Sequence, residues 1–424
     1  MQTNLAPEYA NTPDGQAAEA ILRKCVHCGF CTATCPTYQL LGDELDGPRG
    51  RIYLMKQVLE GATPTRATQQ HLDRCLTCRN CESTCPSGVQ YGQLIDIGRR
   101  LVENQVERPR GERLLRWVLK EGLTSAAFAP AMKLGQLARP LLPKALQHKV
   151  PAKANPAAHQ WPTRSHPRKV LMLLGCVQPA MMPNINSATA RVLDAAGIQT
   201  LVADDAGCCG ALRTHMNDHH GGLADMRRNI DAWWPLVEGL TDAGTVEAIV
   251  MNASGCGVTV KEYGLALAHD AEYAEKAVRI SALTKDISEL LPDLVGPLKA
   301  QLEAKRTREE ADAFEPTPLA YHPPCSLQHG QQLRGGVETH LATLGFNVQT
   351  APCDSHLCCG SAGTYSVLQP EISTQLRDRK LKALAPVEAE VIVSGNIGCI
   401  QHLQSGSERP VRHWVEVLDL ALRA

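Results

Sequence analysis

Aromatic side chains are scarce: 4 Phe, 5 Trp and 8 Tyr amount to 4% of 424 residues. So few rings leave little stacking surface for bases or sugars. A net charge of −1 gives no electrostatic attraction to nucleic acid. No run of about 18 apolar residues occurs, so no transmembrane helix is expected and any membrane contact is peripheral or through a partner. The first residues, Met1-Gln-Thr-Asn-Leu-Ala-Pro-Glu-Tyr9, have neither a basic stretch nor an apolar core of signal-peptide type. No G-x-G-x-x-G follows a predicted strand and no P-loop occurs, so neither a flavin nor a nicotinamide site is evident.

Cysteine, by contrast, is abundant. With no leader in view, 17 cysteines imply a reducing compartment and thiols that are metal-bound or reactive. Eight of them fall into two matching runs, Cys25-Val-His-Cys28-Gly-Phe-Cys31-Thr-Ala-Thr-Cys35-Pro36 and Cys75-Leu-Thr-Cys78-Arg-Asn-Cys81-Glu-Ser-Thr-Cys85-Pro86. Both read C-x2-C-x2-C-x3-C-P, the spacing with which bacterial ferredoxins hold two [4Fe–4S] clusters. Three close thiolates wrap one face of a cluster, and the fourth reaches the other cluster. The expected sets are Cys25, Cys28, Cys31 and Cys85 for the first cluster, and Cys35, Cys75, Cys78 and Cys81 for the second. Zinc typically uses two C-x2-C pairs and needs neither the third cysteine nor the proline. Disulfides would need an oxidising compartment.

A 424-residue chain predicts two to three domains. The segment between the cysteine runs reads as helix, since Arg51 to Glu60 places apolar residues at helical spacing and Thr65 to Arg74 can start another turn. The two clusters are therefore expected in an α-helical ferredoxin domain, residues 1–110. A helical and Pro-rich linker is expected over 111–168, with prolines at 140, 143, 151, 156, 162 and 167. Within it, Arg113 to Lys120 is basic and amphipathic, a pattern that suits an anionic membrane surface. The favoured expectation is a helix packed on the ferredoxin domain with its charged face solvated.

From Val170 the pattern turns to α/β, twice. Short apolar strands are expected at Val170–Leu174, Gln199–Ala203 and Ala248–Asn252, with helices near Asn186–Ala196 and Leu223–Val237 between them. The second round has strands near Pro318–Pro324, Asn347–Thr350 and Val391–Ser394, and a helix over Val337–Leu344. Cys176 to Cys208 spans 32 residues and Cys325 to Cys358 spans 33. The order strand–Cys–helix–strand–CysCysGly–helix–strand–Cys, used twice, predicts two repeated α/β cysteine-rich modules over 169–300 and 301–424. A charged helical region from Leu265 to Ala313 joins them.

Open α/β sheets bind ligands at the C-terminal ends of their strands. Cys176, Cys208, Cys209 and Cys256 in one module, and Cys325, Cys358, Cys359 and Cys399 in the other, are therefore candidate ligands for a further cluster, with Cys353 nearby. Adjacent cysteines do not chelate one ion simply; they suit several irons or a reactive thiol. The glycine after each pair permits close backbone approach. His322, His329 and His356 are candidate ligands or proton carriers.

These modules resemble the cysteine-rich domain of heterodisulfide reductase B-type subunits. Behind a two-cluster helical ferredoxin, the whole chain is similar to the iron–sulfur subunits of glycolate oxidase (glycolate dehydrogenase). The similarity is carried by Cys25-Val-His-Cys28-Gly-Phe-Cys31, Pro48-Arg-Gly-Arg-Ile52, Cys208-Cys209-Gly210, His322-Pro-Pro-Cys325 and Cys358-Cys359-Gly360. The fuller module pattern closes with C-x2-C, but here Ala253 and Asn396 stand at the first position and leave Cys256 and Cys399. That departure argues against the non-cubane cluster and disulfide chemistry of the heterodisulfide reductases. The resemblance implies an electron-transfer subunit with two [4Fe–4S] clusters, an FAD-containing flavoprotein partner, and quinone as a candidate acceptor. It also implies a peripheral place on the cytoplasmic side of the inner membrane and glycolate, rather than lactate or glycerol 3-phosphate, as the substrate of the complex. The reading from a different class is a thiol/disulfide reductase, and a weaker one is a subunit whose clusters only staple domains.

Overall fold

Proline opens helix after helix in the first hundred residues, because its fixed φ suits the first turn and its missing N–H is not needed there. Pro13, Pro36 and Pro48 start the helices Pro13–Lys24, Pro36–Leu41 and Pro48–Leu59. Thr65 and Thr68 form a capping box at the start of Arg66–Asp73, and Tyr91–Gln105 completes the bundle. Its core joins Ile21, Leu22, Met55, Leu59, Leu72, Leu94 and Ile95, all buried. Gly98 is required where the helix Tyr91–Gln105 meets Pro48–Leu59, since a Cβ there would lie 2.3 Å from Met55 Sδ. The computed structural model describes residues 1–143, 147, 150–152, 159–242, 244–306 and 318–423. The expected helical ferredoxin domain is what it contains.

The α/β part follows as two parallel four-stranded sheets. In the first, β1 (Arg168–Met172), β2 (Ile198–Leu201), β3 (Ala248–Met251) and β4 (Thr284–Asp286) lie in the order β2-β1-β3-β4. In the second, β5 (Leu319–His322), β6 (Val348–Thr350), β7 (Val391–Ser394) and β8 (Val411–His413) repeat it as β6-β5-β7-β8. Val170 pairs with Thr200 and Ala248, and Tyr321 with Thr350 and Val393. The strand order reverses between the first and third strands of each sheet, which opens a crevice at their C-terminal ends.

Two expectations need correction. The region from Leu265 onward is not purely helical: Thr284–Asp286 forms a strand between the helices Ala274–Leu283 and Leu291–Arg306. The helix Arg110–Thr124 packs the opposite way round. Arg116 pairs with Asp73 (3.2 Å), Lys120 with Asp218 (3.0 Å), and Glu121 with Arg213 (2.8 Å), so its charged face turns inward. Leu114 and Trp117 are 62% and 59% exposed. Part of the expected Pro-rich linker, including Pro156, and residues 307–313 of the expected joining helix lie outside the described residues.

The modules share one hydrophobic core, in which Val170, Ile185 and Val250 of the first meet Leu319, Ile392, Trp414 and Leu418 of the second. Arg191 and Asp419 clamp the junction at 2.7 Å. His413 Nε2 donates to Asn252 O at 3.0 Å while Val415 N–H donates to its Nδ1 at 3.1 Å. Burial lowers the His413 pKa to about 3, which keeps that ring neutral.

Candidate metal centres

The two cysteine runs fold alike. His27 and Thr77 hold φ +56° and +52° at matching places, and Gly29 and Arg79 hold +87° and +59° at the next pair. Left-handed residues at alternate positions curl each run so that its first three thiols face inward. Thr77 N–H donates to Cys75 Sγ at 3.4 Å. Cys35 stays extended as the cap of the helix begun by Pro36, which carries its thiol away from its own run.

One pocket is lined by Cys25, Cys28, Cys31 and Cys85, with Phe30, Ile52 and Tyr91 around them. Cys81, also on its wall, faces Cys78, Cys35 and Cys75 as neighbouring charges. The structure thus brings the thiols of both runs into one neighbourhood, with Cys81 beside members of both expected sets. Burial is the main force that pushes the Cys31 thiol up to about 11 and those of Cys78 and Cys81 well above the ordinary range. Such thiols surrender their protons only when a cation arrives, so metal binding and proton release are coupled. Four soft sulfur donors around one largely apolar pocket suit an iron–sulfur cluster.

A buried arginine supports the second quartet. Arg51, from the Pro48-Arg-Gly-Arg run, donates to His71 O at 2.7 Å and to Thr37 Oγ1 at 3.2 Å, and Thr37 Oγ1 lies 3.3 Å from Cys35 Sγ. Burial works against its charge, and Cys75, Tyr91, Cys35 and Asp46 more than offset that. Gly50 is needed beside it because a Cβ would lie 2.1 Å from Glu44 O. Sequence reasoning quoted this run without a role for it.

Each module gathers its four cysteines at the strand ends. In the first, Cys176 hydrogen-bonds with Cys208, and Cys209 with Cys208 and Cys256. The bond from Cys176 holds Cys208 well below the ordinary thiol range, helped by Cys209 and the N–H groups of Gly210 and Leu212. In the second, Cys325 Sγ donates to Cys358 Sγ at 3.7 Å, and Cys359 hydrogen-bonds with Cys358 and Cys399. The two CysCysGly glycines have a common reason. Gly210 (φ +92°) and Gly360 (φ +90°) are left-handed, and a Cβ would lie 2.8 Å from Gly222 O in the helix His219–Val237 or 2.6 Å from Ser373 O in the helix Pro370–Leu384.

Asn396 stands where the fuller pattern has a cysteine. Its Oδ1 accepts from Gly255 N–H of the other module at 3.3 Å and its Nδ2 donates to Cys399 Sγ at 3.7 Å, so it bridges the modules. Cys353 is exposed and outside the gathered thiols. His329 does not offer a free nitrogen: Nδ1 lies 2.8 Å from Ser83 Oγ and Nε2 2.8 Å from His356 O. His356 itself is exposed. His322 alone of the three is buried beside thiols, within 4.8 Å of Cys359 and Cys399.

The ferredoxin domain docks through its second run. Asn80 Nδ2 donates to His356 O (3.3 Å) and Tyr365 OH to Arg74 O (3.0 Å). Cys78 sits in one apolar cluster with Leu76, Tyr365, Leu376, Cys325 and Cys358. Two thiol sites that looked independent along the chain are therefore adjacent in space.

Residues 21–89 match the family described as 4Fe-4S dicluster domain, and residues 170–261 and 319–404 each match the one described as Cysteine-rich domain. The chain is 53% identical over 423 residues to the "Glycolate oxidase iron-sulfur subunit" of Escherichia coli, covering 100% of this chain and 99% of that relative. It is 29% identical over 424 residues to the "Probable glycolate oxidase iron-sulfur subunit" of Bacillus subtilis, covering 92% and 90%. Against "Lactate utilization protein A" of Geobacillus thermodenitrificans the identity is 26% over 260 residues, 59% of this chain and 98% of that relative.

Proposed function

This chain belongs to the family of glycolate oxidase iron–sulfur subunits, and from that premise we propose that it is the electron-transfer subunit of a complex that oxidises glycolate to glyoxylate. Substrate oxidation falls to an FAD-containing partner, since the chain has no dinucleotide fingerprint and its sites are built of thiols. Bound iron–sulfur clusters supply one-electron carriage between that flavin and a downstream acceptor, with quinone the candidate.

We assign Cys25, Cys28, Cys31 and Cys85 to one cluster and Cys35, Cys75, Cys78 and Cys81 to the other, within a ferredoxin domain of residues 1–110. The linker is 111–168 and the modules are 169–300 and 301–424. The observation that carries the electron-transfer reading is the packing of Cys78 against Cys325 and Cys358 in one apolar cluster. It makes the Cys78 side of the ferredoxin domain the exit toward the second module, with the Cys25 side further out. Burial, N–H···S bonds and the Arg51 cation are what the protein contributes: they exclude water and favour the charged thiolates.

We further assign the outward apolar face of the helix Arg110–Thr124 to an anionic bilayer surface on the cytoplasmic side. Leu114, Leu115, Trp117 and Val118 are exposed, and so are the basic residues Arg110 and Arg113 on the same helix. Among the described residues no helix is long and apolar enough to cross a membrane, so this contact is peripheral. The test of the main reading is co-purification. A tagged chain should bring down a flavin-containing partner, and that complex should oxidise glycolate in preference to lactate and glycerol 3-phosphate while the chain alone oxidises none. Isolation of the chain free of flavoprotein from cells that oxidise glycolate, or robust reduction of a small disulfide by the chain alone, would overturn it.

A further inference from the structure

The second module differs from the first in one buried ring. His322, the last residue of β5, is 1% exposed, and neither Nδ1 nor Nε2 has a hydrogen-bond partner. Leaving polar atoms unsatisfied in an apolar interior is destabilising, so such a ring is poorly explained as core filling. One of its ring nitrogens and the Cys359 and Cys399 sulfurs all lie within 4.8 Å of one another. Four-coordinate metal sites with metal–sulfur bonds of about 2.3 Å and metal–nitrogen bonds of about 2.0–2.1 Å hold donor atoms at comparable separations. In the first module the matching residue, three before Cys176 as His322 is three before Cys325, is the buried Leu173.

We propose that His322 is a metal ligand: the second module holds iron through one imidazole nitrogen together with Cys359 and Cys399, whereas the first module has thiolates alone. This rests on the reading that the second module carries an iron–sulfur centre. The site also lacks the cysteine whose place Asn396 takes, and the imidazole supplies a further donor beside the same thiol pair. Exchange of a thiolate for imidazole removes negative charge from the centre and raises its potential, as it does where histidine replaces cysteine in other iron–sulfur proteins. The second-module centre is then a better electron acceptor than an all-thiolate one, and it lies next to Cys78.

The experiment uses the full chain purified anaerobically, in natural-abundance and 15N-histidine forms, with pulsed EPR of the reduced protein and metal analysis. The expected result is a directly bound nitrogen whose coupling changes with 15N-histidine labelling, in protein with iron beyond the roughly eight atoms of two cubanes. His322→Leu, which copies the residue of the first module, should abolish that coupling and remove iron while the ferredoxin signals persist. His322→Cys should restore iron with a lower potential and no nitrogen coupling. The proposal falls if excess iron is present without nitrogen coupling, if the coupling survives in His322→Leu, if the excess metal is zinc, or if no metal beyond two cubanes is found. The labelling arm needs no variant, so a misfolded substitution leaves it decisive. None of these failures touches the two ferredoxin signals or co-purification with a flavoprotein, so the electron-transfer reading is judged separately.

Discussion

Arg51 and Asp46 form an ion pair of 3.5 Å with both side chains only 1% exposed. Asp46 is also held by Arg74 at 2.8 Å and by His71 at 3.0 Å, so the carboxylate keeps partners when Arg51 is lost. Removing one member of a buried pair costs up to about 3–5 kcal/mol, and the remaining partners should keep Arg51→Met toward the lower end. The more specific consequence is electrostatic. Arg51 is a cation next to Cys35 and Cys75, so Arg51→Met should lower the midpoint potential of one of the two ferredoxin signals and leave the other in place. Anaerobic redox titration followed by EPR reads this. Unchanged potentials for both signals would remove Arg51 from the account.

The crossed fourth ligand makes a second prediction. Cys35→Ser should damage the cluster assigned to Cys75, Cys78 and Cys81, and Cys85→Ser the one assigned to Cys25, Cys28 and Cys31. Because Cys78 packs against Cys325 and Cys358, the signal lost in Cys35→Ser should be the one whose line shape senses reduction of the second module. Quantitative EPR of both variants, with about four irons lost in each, checks it. Damage to the opposite cluster in either variant would show the assignment to be reversed.

The CysCysGly glycines can be tested against an internal control. Gly360→Ala must adopt φ +90° and push against Ser373 O, whereas Gly175→Ala meets the same kind of strain (φ +83°) with nothing within 4 Å. Left-handed backbone alone costs about 1–2 kcal/mol. Gly360→Ala and Gly210→Ala should each lose more than Gly175→Ala by about 1–3 kcal/mol in anaerobic denaturant unfolding. Equal losses at all three sites would mean that the helix gives way easily.

Much of this fold is legible in the sequence, and what is not has identifiable causes. The four inner strands, β1, β3, β5 and β7, announce themselves as apolar runs because inner parallel strands are buried on both faces. The outer strands Thr284–Asp286 and Val411–His413 are three residues long and partly charged. They exist because Ile249 to Met251 and Ile392 to Ser394 offer them a ladder, and no local pattern encodes that. Cysteine spacing reveals the sites, since ligand type and interval are both in the chain. It does not separate His322 from His329, because the difference lies in Ser83 and the His356 carbonyl, which only the fold brings to His329. The Arg110–Thr124 helix shows its amphipathic pattern plainly, but which face turns inward depends on Asp73, Asp218 and Arg213 from elsewhere.

Asp286 gives a pH dependence. Its side chain caps the turn after β4, accepting from Ser288 N–H (3.0 Å) and Ser288 Oγ (2.7 Å), yet full burial raises its pKa to about 6 from 3.8. A carboxyl raised on folding favours the folded state when protonated. That contribution is complete below about pH 4 and is lost as pH climbs through about 6. Relative to Asp286→Asn, the wild type should therefore lose roughly 1–1.5 kcal/mol of stability between about pH 5 and pH 8. Paired denaturant titrations at the two pH values cancel any general effect of acid on the clusters. A constant gap between the two proteins would mean that Asp286 is ionised throughout.

The inverted helix yields the last prediction. A surface helix of a protein that meets only water turns its apolar stripe inward. Here the stripe of Leu114, Trp117 and Val118 faces out while Arg116 and Lys120 are engaged inward. Each exposed apolar side chain that enters an acyl boundary gains about 1.5–3 kcal/mol, and neighbouring cations add attraction to anionic headgroups. Leu114→Glu with Val118→Glu should thus weaken co-sedimentation with phosphatidylglycerol-containing vesicles by more than about tenfold, with iron content unchanged. The reversed charge Arg113→Glu should act on anionic vesicles and not on neutral ones. If the double variant sediments as the wild type does but no longer retains the flavoprotein, the face belongs to the partner subunit and the bilayer assignment is wrong.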